Sequence, residues 1–155
     1  MTIVTIYLAS DHAGFTLKES VHKVLKELEY EVVDLGAEKE NPGDDYPEII
    51  ARAAIEVSKN PDQDKAIIFG WSGQGEAVVA NKFPGVRAIV FYGGALDIIT
   101  LSREHNDANI LSLGARFVTE DEAKEVVGLW LSTAFSGGER HVRRIAQIKE
   151  IEKNI

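Results

Sequence analysis

The chain has no cysteine among its 155 residues, and this absence removes several kinds of chemistry at once. Disulfide bonds, thiolate metal ligands and cysteine nucleophiles are excluded, and a reducing compartment is compatible with the composition. Basic residues are also scarce, because 17 Lys and Arg stand against 25 Asp and Glu and give a formal net charge of −8. Nucleic acids and anionic membranes are bound through clustered positive charge, so we expect neither as a partner.

Long apolar runs and paired metal ligands are missing as well. The opening stretch MTIVTIYLASDHAG has an apolar run of strand length and no basic leader, so we expect no signal peptide, no membrane span and a cytoplasmic protein. The four histidines show no paired metal spacing, and we predict no metal. With 45% hydrophobic residues, the chain is long enough for one core, and we predict a single domain over residues 1–155.

The stretch richest in chemistry is KAIIFGWSGQGEAVVANK, residues 65–82. Its apolar start predicts a buried strand, and Glu76 falls in the first turn of the helix that follows. Between them lie three glycines, Gly70, Gly73 and Gly75. Glycines allow main-chain N–H groups to approach a ligand closely, and a carboxylate beside such a turn fits a role in proton transfer. Alternatively, the glycines only make a compact turn and Glu76 complements the helix dipole. Neither the dinucleotide fingerprint nor the P-loop pattern is matched, so no nucleotide cofactor is predicted.

Strand-like and helix-like segments alternate along the whole chain. We predict strands over residues 2–9, 31–35, 66–69, 86–92 and 110–113. Helical spacing follows each strand, Thr119 and Glu122 form a capping-box pattern, and Trp130 falls on the buried face of the helix they open. This alternation predicts an α/β fold with a five-stranded parallel sheet covered by helices on both faces.

Ligands of such sheets bind beyond the carboxyl ends of the strands. Asp11 and His12 follow the first strand, the glycine loop follows the third, and His105 and Asn106 follow the helix after the fourth. We therefore predict that these polar groups converge on one edge of the sheet. Each group has a plainer interpretation: Asp11 is a helix cap, and residues 105–109 are only a polar turn.

Two further features have open interpretations. Arg140 and Arg144 are spaced i, i+4 on the last predicted helix, so they share a face and can clamp a phosphate, or they belong to a solvated surface. Tyr46, at the start of the second helix, is a core aromatic whose hydroxyl can reach the rim of a site. Position alone does not decide either case.

Six segments together have the pattern of a known family. They are SDHAGFTLK (10–18), DDYP (44–47), GWSGQGEAVVANK (70–82), GVRA (85–88), SREHNDANILSLGAR (102–116) and GGERHVRRI (137–145). In this order, and over nearly the whole chain, they resemble ribose-5-phosphate isomerase type B, in the family shared with galactose-6-phosphate isomerase subunits. The resemblance implies a Rossmann-like three-layer sandwich and a metal-free interconversion of ribose 5-phosphate and ribulose 5-phosphate. It also implies a homodimer or homotetramer with active sites at the subunit interface.

The resemblance also implies roles for particular residues. Many members carry a cysteine base where this chain has Gly70, so the chain resembles the cysteine-free branch in which a glutamate at the position of Glu76 moves the proton. Isomerisation needs a ring-opening acid, a base between C2 and C1, and donors for the enediolate oxygen. We expect His105 to open the ring. We expect Asp11 and His12 to bind the ring oxygen and hydroxyls. The enediolate is expected to be stabilised by Ser72, Gly73, Gly75 and Asn106, and the phosphate to be bound by Arg116, Arg140 and Arg144. The residues expected to line the substrate pocket are Tyr46, Gly70 and Trp71.

Three other functions remain open from the sequence. Trp71 stands where the family commonly has glycine, and a narrower pocket would change the sugar, so isomerisation of galactose 6-phosphate or allose 6-phosphate is the nearest alternative. A catalytically idle sugar-phosphate-binding subunit is the second. The third is a flavodoxin-like flavin or nucleotide binder, which rests on topology alone.

Overall fold

The computed structural model describes residues 3–155 and confirms the predicted five-stranded parallel sheet. The strands are β1 (Thr5–Ser10), β2 (Glu31–Asp34), β3 (Lys65–Gly70), β4 (Ala88–Phe91) and β5 (Ile110–Gly114). The helices are α1 (Phe15–Glu27), α2 (Tyr46–Lys59), α3 (Gln74–Ala80), α4 (Asp97–Glu104), α5 (Glu120–Ser132) and α6 (Glu139–Glu152). A 3₁₀ turn, His12–Gly14, links β1 to α1.

The strand order is β2-β1-β3-β5-β4, with every pair parallel. After β2 the chain crosses over β1 to place β3 on its other side, so the order reverses between β1 and β3. In open α/β sheets this reversal leaves a crevice at the carboxyl ends of the strands concerned. Ser10 and Phe69 are partners in the register of β1 and β3, so Asp11 and Gly70 emerge side by side at that crevice.

Alternate side chains of the sheet enter two separate cores, which makes the fold a three-layer sandwich. Ile67 and Phe69 of β3 pack with α1 and α5, and Trp130 is fully buried there, as its helical spacing predicted. Ala66 and Ile68 pack with α2 on the other face. Strands buried on both faces explain why β3 reads as a continuous apolar run rather than an alternating one.

The strand boundaries differ from the sequence prediction by one to three residues. Thr2, the predicted start of β1, lies outside the described residues. The fourth strand begins at Ala88 rather than at residue 86, because Arg87 N donates to the side-chain oxygen of Asn109 (2.7 Å) instead of entering the ladder. Among residues 3–155, no helix has the length and apolar character required to span a membrane.

An ion pair of a buried lysine fixes the path of the chain where it leaves β2. Lys18 is fully buried and its ammonium pairs with Asp34, whose other oxygen accepts from Gly36 N (2.9 Å). Ser10 N donates to Gly36 O, and Ala37 N donates to Ser10 O, each over 2.8 Å. The segment after β2 is therefore bonded to the last residue of β1, so the loop that leads to α2 starts at the same crevice.

The capping box at the start of α5 gives a direct test of local stability. Thr119 Oγ1 accepts from Glu122 N (3.1 Å), and Glu122 Oε2 accepts from Thr119 N (2.8 Å). Thr119→Ala should lower the free energy of unfolding by about 1 kcal/mol, measured by urea denaturation. Thr16→Ala, at an exposed position of α1, is the matched control and should cost nothing. Equal effects of the two substitutions would contradict the role of the cap.

Candidate active site

The loop between β3 and α3 is fastened to the neighbouring strand β5. Gly70 O accepts from Ala115 N (2.8 Å), and Ser112 Oγ donates to Gly73 O (2.7 Å). Gly73 has φ +79°, a left-handed conformation that glycine adopts at no steric cost. The loop is therefore fixed from both ends rather than free at the surface.

The Glu76 carboxylate lies over Gly70. A Cβ atom at position 70 would stand 1.9 Å from Glu76 Oε1 and 2.0 Å from its Cδ, so the carboxylate occupies the space of the missing side chain. Glu76 is only 4% exposed. Burial raises the pKa of its carboxyl group, and the nearby charge of Asp11 raises it further. A carboxylate with a raised pKa is a stronger base, which suits proton abstraction near neutral pH.

The start of α2 packs against the start of α3. The hydroxyl oxygen of Tyr46 would be 2.6 Å from a Cβ at Gly75, so only glycine allows this approach. Ser72 Oγ accepts from Gln74 N (3.3 Å). The Tyr46 hydroxyl therefore sits beside the glycine loop, as the sequence interpretation allowed.

A second group of polar side chains follows β1. Asp11 is buried and accepts from Ala13 N (3.1 Å), so it does cap the short turn, and burial raises the pKa of its carboxyl group. Asp44 reaches in from the loop before α2: its Oδ1 accepts from His12 N (3.1 Å) and lies 2.6 Å from His12 Nδ1. The sequence assignment missed Asp44, although the Asp-Asp-Tyr-Pro segment that contains it was noted.

This second group is also the place where a cation would fit. Within residues 3–155, ligand atoms of Asp11, His12 and Asp44 lie within 4.8 Å of one another. The 2.6 Å between His12 Nδ1 and Asp44 Oδ1 is the length of a shared proton, since two ligands about 2 Å from one zinc ion stand more than 3 Å apart. The arrangement is that of a hydrogen bond, and the absence of a metal from the reaction stays a prediction.

Trp71 and Arg116 form the outer rim of the same edge. Trp71 O accepts from Arg116 N (3.0 Å), and the guanidinium carbon lies 5.7 Å from the centroid of the Trp71 ring. The Trp71 side chain is 59% exposed. Arg116 is thus a cation on the Glu76 side of the sheet, stacked on an aromatic ring that faces outward.

His105 and Asn106 lie at the opposite edge, so the prediction that all polar groups converge on one edge within a chain is wrong. They follow the carboxyl end of α4 and precede β5, and Asn106 O accepts from Arg87 Nε (2.9 Å) just before β4 begins. A crossover helix returns the chain to the amino ends of the strands, and the length of β5 separates the two edges by about 16 Å.

The same amino edge carries the arginines of α6. The His105 and His141 rings are stacked, with centroids 4.2 Å apart and planes at 14°. Arg140 and Arg144 flank His141 on α6, and both are exposed. The predicted site residues therefore form two groups: Asp11, His12, Tyr46, Gly70–Glu76 and Arg116 at the carboxyl edge, and His105, Asn106, Arg140 and Arg144 at the amino edge.

Comparison with known proteins identifies the family of this chain. A family model described as Ribose/Galactose Isomerase matches residues 6–148. The chain belongs to the ribose/galactose isomerase family. It is 40% identical to a probable ribose-5-phosphate isomerase B of Mycoplasma genitalium over 96% of this chain and 95% of that protein. It is 36% identical to ribose-5-phosphate isomerase B of Mycobacterium tuberculosis, covering 99% of this chain and 93% of that protein.

A solved structure of this ribose/galactose isomerase family matches the whole fold. The ribose-5-phosphate isomerase B of Mycoplasma genitalium with bound ribulose-5-phosphate superimposes with a TM-score of 0.94 and 39% identity, covering 100% of both chains. The family resemblance seen in the sequence motifs is thereby confirmed, while the role of each site residue stays a prediction.

Burial of an ionisable carboxylate predicts an effect of pH on stability. Because the pKa of Glu76 is raised in the folded state, the native protein binds this proton more tightly than the unfolded chain does. Stability is therefore lost as pH rises from the unfolded pKa through the folded one. Glu76→Gln should be at least as stable as wild type at pH 8, and this advantage should shrink towards pH 4.5, measured by urea midpoints.

Glu48→Gln removes an exposed carboxylate from the first turn of α2 and is the matched control. Its urea midpoint should follow the wild-type pH dependence. A constant difference between Glu76→Gln and wild type across this pH range would show that burial of the Glu76 charge has no cost.

Proposed function

We propose that the protein is a single-domain aldose–ketose isomerase that interconverts ribose 5-phosphate and ribulose 5-phosphate without a metal. The observation that carries the proposal is the buried Glu76 carboxylate over Gly70, at the crevice where the strand order reverses. Membership of the family and the close match to a relative with bound ribulose-5-phosphate support it. Sugar phosphates are charged and do not cross membranes, so the cytoplasm is the proposed location.

Glu76 is the proposed base. Its carboxylate takes the proton from C2 of the open-chain aldose, and the electrons form the enediolate with the charge on O1. A proton passes from the O2 hydroxyl to O1, and the carboxyl group returns its own proton to C1, which gives the ketose with its carbonyl at C2. A single carboxylate can serve both carbons because they are adjacent and the enediolate is planar. The Ser72 hydroxyl and the main-chain N–H groups around Gly73 and Gly75 are the proposed donors to the enediolate oxygen.

The amino-edge residues enter the proposal through a second copy of the chain. His105 is the proposed ring-opening acid, Asn106 a further donor, and Arg140 and Arg144 the phosphate clamp, yet all four lie across the sheet from Glu76. A homodimer or homotetramer in which the amino edge of one subunit meets the carboxyl edge of another brings both groups together. Within each subunit, Arg116 stays on the Glu76 side of the sheet, next to Trp71.

The buried carboxylate favours an enzyme over an idle binding subunit. Binding a phosphorylated sugar needs cations and hydrogen-bond donors. A buried carboxylate adds nothing to such binding, and burying its charge costs free energy, so its presence indicates a catalytic role. The Trp71 ring faces outward and does not define the length of the sugar that binds, so this length has to be determined by assay. Galactose 6-phosphate and allose 6-phosphate are therefore alternative substrates in the test.

The activity assay follows ketose formation from ribose 5-phosphate in the presence of EDTA. The wild-type protein should convert ribose 5-phosphate. Glu76→Gln should lower kcat by about 100-fold or more with little change in KM, because the substitution keeps the size and hydrogen bonding of the side chain and removes the base. Glu48→Gln should retain wild-type rates. Turnover of a hexose phosphate alone would change the substrate, and no turnover of any of the three sugars would reject an isomerase.

A mixing experiment tests whether the site is shared between subunits. Glu76→Gln and His105→Asn should each be inactive alone. In mixed dimers, one site receives Glu76 from one chain and His105 from the other, so an equimolar, randomly paired mixture should recover about a quarter of wild-type activity. Mixed dimers are obtained by refolding the two variants together or by coexpressing them. No recovery in a mixture shown to contain mixed dimers would place both residues in the site of one chain.

A further inference from the structure

One carboxylate oxygen holds both the backbone and the ring of His12. Asp44 Oδ1 accepts from His12 N (3.1 Å) and lies 2.6 Å from His12 Nδ1. Bonding at both points fixes the position of the residue and the rotation of its ring. Since Nδ1 is engaged by Asp44, Nε2 is the ring nitrogen left for a ligand, and the His12 side chain is 36% exposed.

The surroundings of Asp44 favour a charged partner. Its side chain is only 12% exposed, and its second oxygen, Oδ2, is buried and accepts no hydrogen bond from residues 3–155. A largely buried carboxylate whose side-chain donor is a single imidazole interacts most favourably when that imidazole carries a positive charge. The imidazolium of His12 provides this charge.

Two further acids act on His12 besides Asp44. Asp11 Oδ2, at the end of β1, lies 3.9 Å from His12 Nδ1, and Glu40 contributes from the loop that also carries Asp44. The hydrogen bond with Asp44 is the main cause that raises the pKa of His12; burial lowers it, and the charges of Asp11, Asp44 and Glu40 raise it further. His12 is therefore protonated over a wider pH range than an isolated histidine.

We propose that Asp44 is a positioning residue of the active site, which orients His12 and keeps its ring protonated so that Nε2–H donates to an oxygen of the sugar phosphate. The inference rests on the proposed isomerase function for the identity of the substrate. The state of His12 itself belongs to the free protein and can be measured without turnover.

The chain holds Asp44 in place by two independent features. Asp44 N donates to Asn41 O (3.0 Å), and Asn41 Oδ1 accepts from Gly43 N (3.1 Å), which closes a tight turn just before it. The loop begins at Gly36, which is bonded to Ser10 beside Asp11 and His12. His12 and the loop that carries Asp44 are therefore both held at the end of β1, although 32 residues separate His12 from Asp44 in the chain.

The first test measures the pKa of His12 by NMR in the free protein, with the signal assigned by its loss in His12→Asn. Asp44→Asn should lower this pKa by about one unit or more, since it removes the negative charge that stabilises the imidazolium while it keeps an acceptor oxygen. Asp45→Asn makes the same change at the neighbouring exposed position and should leave the His12 pKa near its wild-type value. Equal His12 pKa values in the two variants would overturn the proposal.

The second test follows kcat/KM for ribose 5-phosphate against pH. A protonated His12 is lost as pH rises through its raised pKa, so activity should fall on the alkaline side, and Asp44→Asn should move that fall to lower pH with KM affected more than kcat. Asp44→Glu keeps the charge at a longer reach and should restore part of the shift in both tests. It also serves if Asp44→Asn does not fold.

The outcomes distinguish a failure of the Asp44 proposal from a failure of the proposed isomerase function. A lowered rate in Asp44→Asn with an unchanged pH profile and an unchanged His12 pKa would show a purely structural role and overturn the proposal. If the protein does not isomerise ribose 5-phosphate, the proposed function fails, while the NMR comparison of Asp44→Asn with Asp45→Asn still decides the charge state of His12.

Discussion

The active edge depends on one packing constraint: the carboxylate of Glu76 occupies the volume that a side chain at position 70 would fill. The constraint requires glycine at the last position of β3 and a helix that starts within a few residues of it. Hydrogen bonds from Ser112 of β5, and from Ala115 just after it, hold the loop and so keep the carboxylate in this position. Burial then changes the chemistry of the carboxyl group by raising its pKa.

Parallel topology has a second consequence for the site. Each strand ends at the carboxyl edge, and each crossover helix carries the chain back to the amino edge, so residues after a strand and residues after a helix face opposite ways. Glu76 and His105 are separated by this rule, and the exposed Arg140 and Arg144 lie with His105. The chain therefore carries its predicted site residues in two groups, with Asp11, His12 and Glu76 on one edge and the arginine pair on the other.

The sequence predicted the elements that local chemistry decides. Continuous apolar runs predicted β3 and β5, the Thr119–Glu122 pattern predicted the start of α5, and helical spacing predicted the burial of Trp130. The edge on which His105 lies was predicted wrongly, because order along the chain was taken for direction in space. Asp44 was missed because its partner His12 is 32 residues away and because a polar loop with several acids gives no signal for the one that pairs.

The measurement that tests the packing of Glu76 most directly is kcat of Gly70→Ala with ribose 5-phosphate. The three atoms nearest to the added methyl group all belong to the end of the flexible Glu76 side chain, so the fold should be preserved while the carboxylate is displaced. A displacement of this size should lower kcat by about tenfold or more. An unchanged kcat in a variant whose crystal structure shows the carboxylate moved would contradict the role of Glu76 as the base.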